Sequence, residues 1–179
     1  MKLKTLCCLA LLALVATFAG AQSGADLSAY ENALVGNVEQ EILYNAQQLA
    51  ALADATRGVN AELADVIADA TWVEARMVNL DAGHSENVRE IMTSTVDQLS
   101  SNGWAPLVSV RANDDQVEVL LRHTEGRIQG LVALFADGEE EAGFANLAGD
   151  LDMAQVMALA KNAEALAGFL DILREESEG

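Results

Sequence analysis

The sequence predicts an α+β fold in which an antiparallel sheet carries helices packed on one of its faces. Two observations predict it. The second half of the chain contains four runs of strand-forming residues, at 107–112, 116–123, 127–136 and 143–148, and short turn sequences separate them. The first half contains amphipathic helical patterns together with one or two strand-like runs. Short connections between successive strands indicate antiparallel neighbours, so the second half should form a four-strand meander.

The first 21 residues are typical of a cleavable secretory signal peptide. Lys2 and Lys4 give a positive start, and the run 5–18 is almost wholly apolar and uncharged. The triplet Ala19-Gly20-Ala21 then supplies a cleavage site before Gln22. An uncleaved anchor is the alternative, but the apolar run is shorter than the roughly 20 residues of a membrane span. We therefore expect a periplasmic or secreted protein with no stable membrane insertion after processing.

Both cysteines, Cys7 and Cys8, lie at the start of this apolar run. A lipoprotein carries its cysteine at the cleavage point instead, so a lipid anchor is not expected. Cleavage before Gln22 would leave a chain without thiols, and hence without disulfides or thiolate metal sites. The remaining 158 residues (179 minus 21) correspond to one domain.

We divide the mature chain into a flexible N-terminal segment over 22–34, a single α+β domain over 35–174 and a disordered tail over 175–179. Its charge is strongly negative. Signal removal lowers the Lys+Arg count from 10 to 8 against 28 Asp+Glu, which gives −20. Such a surface repels nucleic acid, and it suits a basic partner, a cation or solubility alone.

The elements of the first half follow from local patterns. The run 38–43 fits either a strand or a helix, because it is too short for periodicity to decide. Strong helix formers occupy 46–55, and Asn60 is placed to cap a second helix over 61–70. Alternation predicts a strand over 72–80.

Two further helices are predicted around the meander. Ser85 is placed as the N-cap of a helix that Asn102-Gly103 ends. Asp150 or Asp152 should cap a C-terminal helix that continues to about Arg174. Its apolar stripe at helical spacing consists of Val156, Leu159, Ala160, Ala163, Leu166, Leu170 and Leu173.

Motifs for chemistry are absent from the sequence, which contains no nucleophile elbow, no phosphate-binding glycine loop and no zinc-protease motif. The two histidines, His84 and His123, lie on separate predicted elements, and a histidine-based zinc site would need both. Asp150 and Asp152 fit helix capping better than cation binding, since calcium needs six to eight regularly supplied oxygens. We expect no cofactor, no metal and no catalytic residues.

Four arginines lie on or beside predicted strands. They are Arg76, Arg111, Arg122 and Arg127. On a solvent face they would pair with the many acids, whereas a cluster of them on one face would form a local anion site.

The segment 102–160 resembles the bacterial envelope family catalogued as domain of unknown function 4252. The resemblance is carried by Trp104 before a strand and by the runs QVEVLLR (116–122), RIQGLVALFAD (127–137) and AGFANLAGDLDMAQV (142–156). With the first half included it covers roughly 35–162. It implies a small envelope domain that is extended over 38–43, and it supplies no established activity or catalytic residues. The family's frequent lipoprotein cysteine is missing at the corresponding place.

We therefore expect an exported envelope protein that acts as a non-enzymatic binding or regulatory module, through contacts with an unidentified envelope protein partner. The resemblance adds envelope stress signalling as a hypothesis. The alternative is a periplasmic protein that binds a small anion or a cation. An uncharacterised enzyme that uses carboxylates is the third possibility.

Overall fold

The structure is a computed structural model that describes residues 24–112, 115–137 and 141–154. The predicted signal peptide with its cleavage site between Ala21 and Gln22, most of the predicted C-terminal helix and the tail over 175–179 lie outside these residues. Within them the chain forms four helices and six strands. In chain order they are α1 (Ser28–Ala33), β1 (Gly36–Asn45), α2 (Ala46–Thr56), α3 (Ala61–Asp69), β2 (Ala70–Leu80), α4 (Ser85–Ser101), β3 (Ala105–Ala112), β4 (Asp115–Thr124), β5 (Arg127–Asp137) and β6 (Glu141–Asp152).

The six strands form one sheet in the order β1-β2-β6-β5-β4-β3, and every neighbouring pair is antiparallel. The α+β class and the meander of β3 to β6 are confirmed. The run 38–43 lies inside β1, so the extended alternative holds there. Strand β2 pairs with β6, which joins the N-terminal pair of strands to the meander.

Two of the helices, α2 and α3, begin at capping residues that are visible in the sequence. Asn45 caps α2 through a capping box, in which its Oδ1 accepts from Gln48 N at 3.1 Å and Gln48 Oε1 accepts from Asn45 N at 3.1 Å. Asn60 caps α3 as predicted, since its Oδ1 accepts from Leu63 N at 3.0 Å. At α4 the helix begins with Ser85 itself, and the capping position falls on His84, whose side chain makes no capping bond.

Two helix pairs cover the two faces of the sheet, which differs from the predicted single face. Leu120 packs with α1 and α4, whereas Leu121 packs with α2 and α3. Consecutive residues of a strand point to opposite faces, so the two pairs lie on opposite sides. The α4 face is defined by Leu120, Val132, Leu134 and Phe144, and the α3 face by Val73, Leu121, Leu131 and Leu147.

The structure also differs from the predicted flexible segment over 22–34. Residues 28–33 form α1, and the side chains of Leu27 and Tyr30 are buried on the α4 face. The Tyr30 hydroxyl donates to the backbone oxygen of Phe135 at 2.7 Å, and burial raises the pKa of this phenol well above its ordinary value. A short polar sequence therefore becomes part of the core because a few large apolar side chains anchor it.

Candidate functional site

A cleft of about 270 Å³ opens on the α4 face, between the start of the described chain and β2. Its lining combines backbone of the N-terminal segment with carboxylates and one indole ring. The residues are Gly24, Ala25, Asp26, Leu27, Ser28, Glu31, Trp72 and Glu74. We refer to it as the acidic cleft.

Asn146 on β6 holds one wall of the acidic cleft in place. This side chain is buried, its Oδ1 accepts from Ala25 N at 3.1 Å, and its Nδ2 donates to Ala25 O at 2.9 Å. Gly24 passes close over the indole, because a Cβ at this position would lie 2.7 Å from Trp72 Cζ3. The wall is thus fixed by a buried amide and by a residue without a side chain.

The carboxylates give the acidic cleft a concentrated negative charge. Burial raises the pKa of Glu74, and repulsion from Glu31 and Glu41 raises it further against the opposing effect of Arg76. A hydrogen bond from the Ser28 hydroxyl, at 2.7 Å, holds the pKa of Asp26 below its usual value. Asp26 therefore stays ionised, and Glu74 lies where a neighbouring cation would stabilise its charged form.

Exposed apolar side chains adjoin the acidic cleft on β1. Leu43 pairs directly with Glu74 across the two strands and is 61% exposed. Val38 lies farther along β1 and is 55% exposed. On this face α4 contacts β4 and β5, whereas β1 forms the far edge of the sheet. We call these two residues together with the acidic cleft the β1–β2 surface.

The structure gives the four candidate arginines separate surroundings. Arg76 Nε donates to Glu41 Oε1 at 3.0 Å, and Arg111 Nη2 donates to Glu118 Oε1 at 3.2 Å. The guanidinium of Arg122 lies 5.5 Å from the centre of the Trp104 ring.

Arg127, the fourth of these arginines, has three carboxylates within 4 Å. Its Nε donates to Asp150 Oδ1 at 3.1 Å, and this hydrogen bond holds the pKa of Asp150 below its usual value. Three of the four arginines thus pair with different carboxylates, and the structure does not bring the four together.

The structure buries a carboxylate that the sequence analysis did not identify. Glu118 on β4 is 3% exposed, and its Oε1 accepts from Ser109 Oγ at 3.0 Å and Gln116 Nε2 at 3.3 Å besides Arg111. The alternation of QVEVLLR is visible in the sequence, but it assigns the valines to the core and the polar residues to solvent. The structure has the reverse assignment at this end of β4, since Gln116 is buried and Val117 is 38% exposed.

The other candidate ligands lie apart. His84 Nδ1 is 3.2 Å from Asp81 O, and His123 is exposed. Asp152 Oδ1 accepts from Ala154 N at 2.8 Å, as an N-cap would. Among residues 24–112, 115–137 and 141–154, no three His, Cys, Asp or Glu side chains are grouped so that they would hold a metal ion. No helix in this part of the chain is long and apolar enough to cross a membrane.

A family model described as domain of unknown function (DUF4252) matches residues 46–159, which is more than half of the chain. No curated protein matches this chain. The match covers α2 to β6 and confirms the resemblance found in the sequence, while β1 and the N-terminal wall of the acidic cleft precede it.

Proposed function

This chain belongs to the DUF4252 family of unknown function, and from that premise we propose that it is an exported, non-enzymatic module that binds a basic, partly apolar segment of an envelope protein. The β1–β2 surface is the proposed binding site. Envelope stress signalling is one role for such a module, and the partner there would be a regulator that exposes a basic segment.

The observation that carries the proposal is the position of Leu43. A large apolar side chain that is 61% exposed lies directly opposite Glu74 at the edge of the acidic cleft. Exposed apolar groups beside carboxylates suit a partner that presents both apolar and cationic side chains.

The cleft lining explains why the partner should be basic. A lysine or arginine side chain that enters the cleft would meet the carboxylates of Glu31 and Glu74 and could stack on Trp72. The charge of −20 on the mature chain would also accelerate the encounter with a cationic segment. Anion binding is less well supported, because Arg76, Arg111 and Arg127 pair with carboxylates.

Calorimetry with model peptides tests the proposal. The chain that begins at Gln22 is titrated with an amphipathic peptide of alternating Lys and Leu, and with a peptide in which Glu replaces Lys. We expect binding of the basic peptide alone, with an affinity that falls as salt is added.

A double variant locates the site. Leu43→Ser with Glu74→Gln should weaken binding of the basic peptide by about tenfold or more, which corresponds to ~1.4 kcal/mol. The control, Val59→Ser with Glu62→Gln, likewise replaces an exposed apolar side chain by serine and removes one carboxylate, at positions in the loop before α3 and in α3 itself. If both variants weakened binding equally, the net charge of the protein alone would explain the attraction, and the proposed site would be refuted.

A further inference from the structure

Within the part of the chain that the structure describes, a row of valines on the α3 face lacks the helical cover that the other end of this face has. Helices α2 and α3 pack over the end that contains Leu121 and Leu131. On the same face, Val108 pairs with Val119, Val110 pairs with Val117, and Val117 pairs with Phe135. Val108, Val110 and Val117 are 43%, 48% and 38% exposed. We call Val108, Val110, Val117, Val119 and Phe135 the valine face.

Along β4, the valine face continues the buried end of the α3 face without a break in its pairing with β5. Val117, Val119 and Leu121 alternate along β4, and the strand is regular between them. β-branched residues at successive inward positions of paired strands are typical of a buried sheet surface. The pattern is therefore typical of a sheet surface that an apolar layer covers.

The chain itself continues from this face. Met153, which directly follows β6, packs against the core that contains Leu121, Leu131 and Leu147. Twenty-five residues, 155–179, follow the last described residue, Ala154 (179 minus 154). Their first part carries the apolar stripe from Val156 to Leu173 at helical spacing.

The length of this segment matches the face. A helix over the 20 residues 155–174 would be about 30 Å long at 1.5 Å per residue. Along β5, the eight residue-to-residue steps from Arg127, which pairs with Asp152, to Phe135 span about 27 Å. A helix that turns back from the end of β6 would therefore reach the valine face.

We propose that residues 155–174 form a helix that packs its apolar stripe on the valine face and completes the layer that α2 and α3 begin. The occupant is thus a segment of the same chain rather than a second copy or another protein. This inference does not depend on the proposed function, because the β1–β2 surface lies on the opposite face.

Paramagnetic relaxation in the full mature chain tests the contact without altering the valines. The chain from Gln22 has no cysteine, so Ala165→Cys places a single nitroxide. Position 165 lies on the side of the predicted helix opposite its apolar stripe. We expect the methyl resonances of Val108, Val110 and Val117 to lose intensity, and those of Val38 on the other face to keep it.

Two outcomes would overturn the proposal. One is equal intensity at all valines. The other is loss that appears only when nitroxide-bearing unlabelled chains are mixed with isotope-labelled chains that carry no nitroxide, which would make a second copy the occupant.

Stability measurements give an independent check. Leu166→Asp should lower Tm by several degrees, and Ala165→Asp, which adds the same charge on the opposite side, should lower it much less. Val110→Thr should also lower Tm, and its loss should become smaller in the presence of Leu166→Asp, since both changes weaken one contact. Strictly additive losses would contradict docking of the stripe on Val110.

Discussion

The two faces of the sheet differ in how completely the described chain covers them. On the α4 face, α1 and α4 enclose the middle of the sheet, and Tyr30, Met92 and Phe144 are almost entirely buried. On the α3 face, α2 and α3 cover only one end and leave Val110 half exposed. The comparison shows that burial of a strand residue depends on where the helices land, and not on its own hydrophobicity alone.

The largest expected effect concerns the closed core of the α4 face. Phe144→Ala should lower the free energy of unfolding by about 3–5 kcal/mol, because it removes a buried ring from a packed site. Leu43→Ala, on the same face but beyond the cover of α1 and α4, should cost far less. Urea denaturation of both variants measures the difference, and similar costs would break the distinction between covered and uncovered parts of this face.

A buried amide of the α4 face gives the next effect. Asn146→Ala should cost about 1–3 kcal/mol, because it removes two hydrogen bonds and leaves backbone groups of Ala25 without them. Amide exchange over 25–33 should accelerate at the same time, which separates loss of the anchor from general destabilisation. Asn32→Ala, at an exposed position of α1, is the control. Unchanged exchange over 25–33 would show that apolar packing alone holds this segment.

The α3 face offers a smaller, local test. Asn60→Ala should destabilise the protein by about 1 kcal/mol, because it removes the side-chain acceptor that caps α3. Asn60→Ser keeps a capping oxygen and should restore most of the loss in thermal denaturation. If the serine variant were as unstable as the alanine variant, the role of Asn60 would lie in something other than the cap.

The smallest effect has the opposite sign and concerns the uncovered edge of the α4 face. The pKa of Glu74 is raised in the folded state. Its contribution to the stability of the fold is therefore fully present below the unfolded pKa of about 4.5, and it is lost as pH rises through the folded pKa. Glu74→Gln should therefore raise Tm slightly at pH 7 and leave it unchanged below pH ~4.

The control for Glu74→Gln is Glu62→Gln, which removes the same charge from the first turn of α3, where a carboxylate is favourable. That variant should not gain stability at pH 7. Equal gains in both variants would attribute the effect to net charge and not to the acidic cleft.

The site was less predictable than the fold. Local patterns predicted the strands that became β2 to β6 and the cap at Asn60, because these depend on neighbours in sequence, whereas they left 38–43 in β1 open between a strand and a helix. The acidic cleft joins Gly24 and Glu31 to Trp72 and Glu74, and only the pairing of β2 with β6 and the anchor at Asn146 bring them together. The sequence places the four arginines on four strands, but it does not indicate which carboxylate each arginine contacts.

The sequence by itself determined the α+β class, the antiparallel meander and the family, because alternation, turn residues and caps act over a few residues. Only the tertiary structure decided that both faces carry helices, that 28–33 belong to the fold and that Glu118 is buried while Val117 is exposed. The physical reason is that a period of two separates the faces of a strand without stating which face a helix will cover. That choice depends on where α2, α3 and α4 pack after the sheet is assembled.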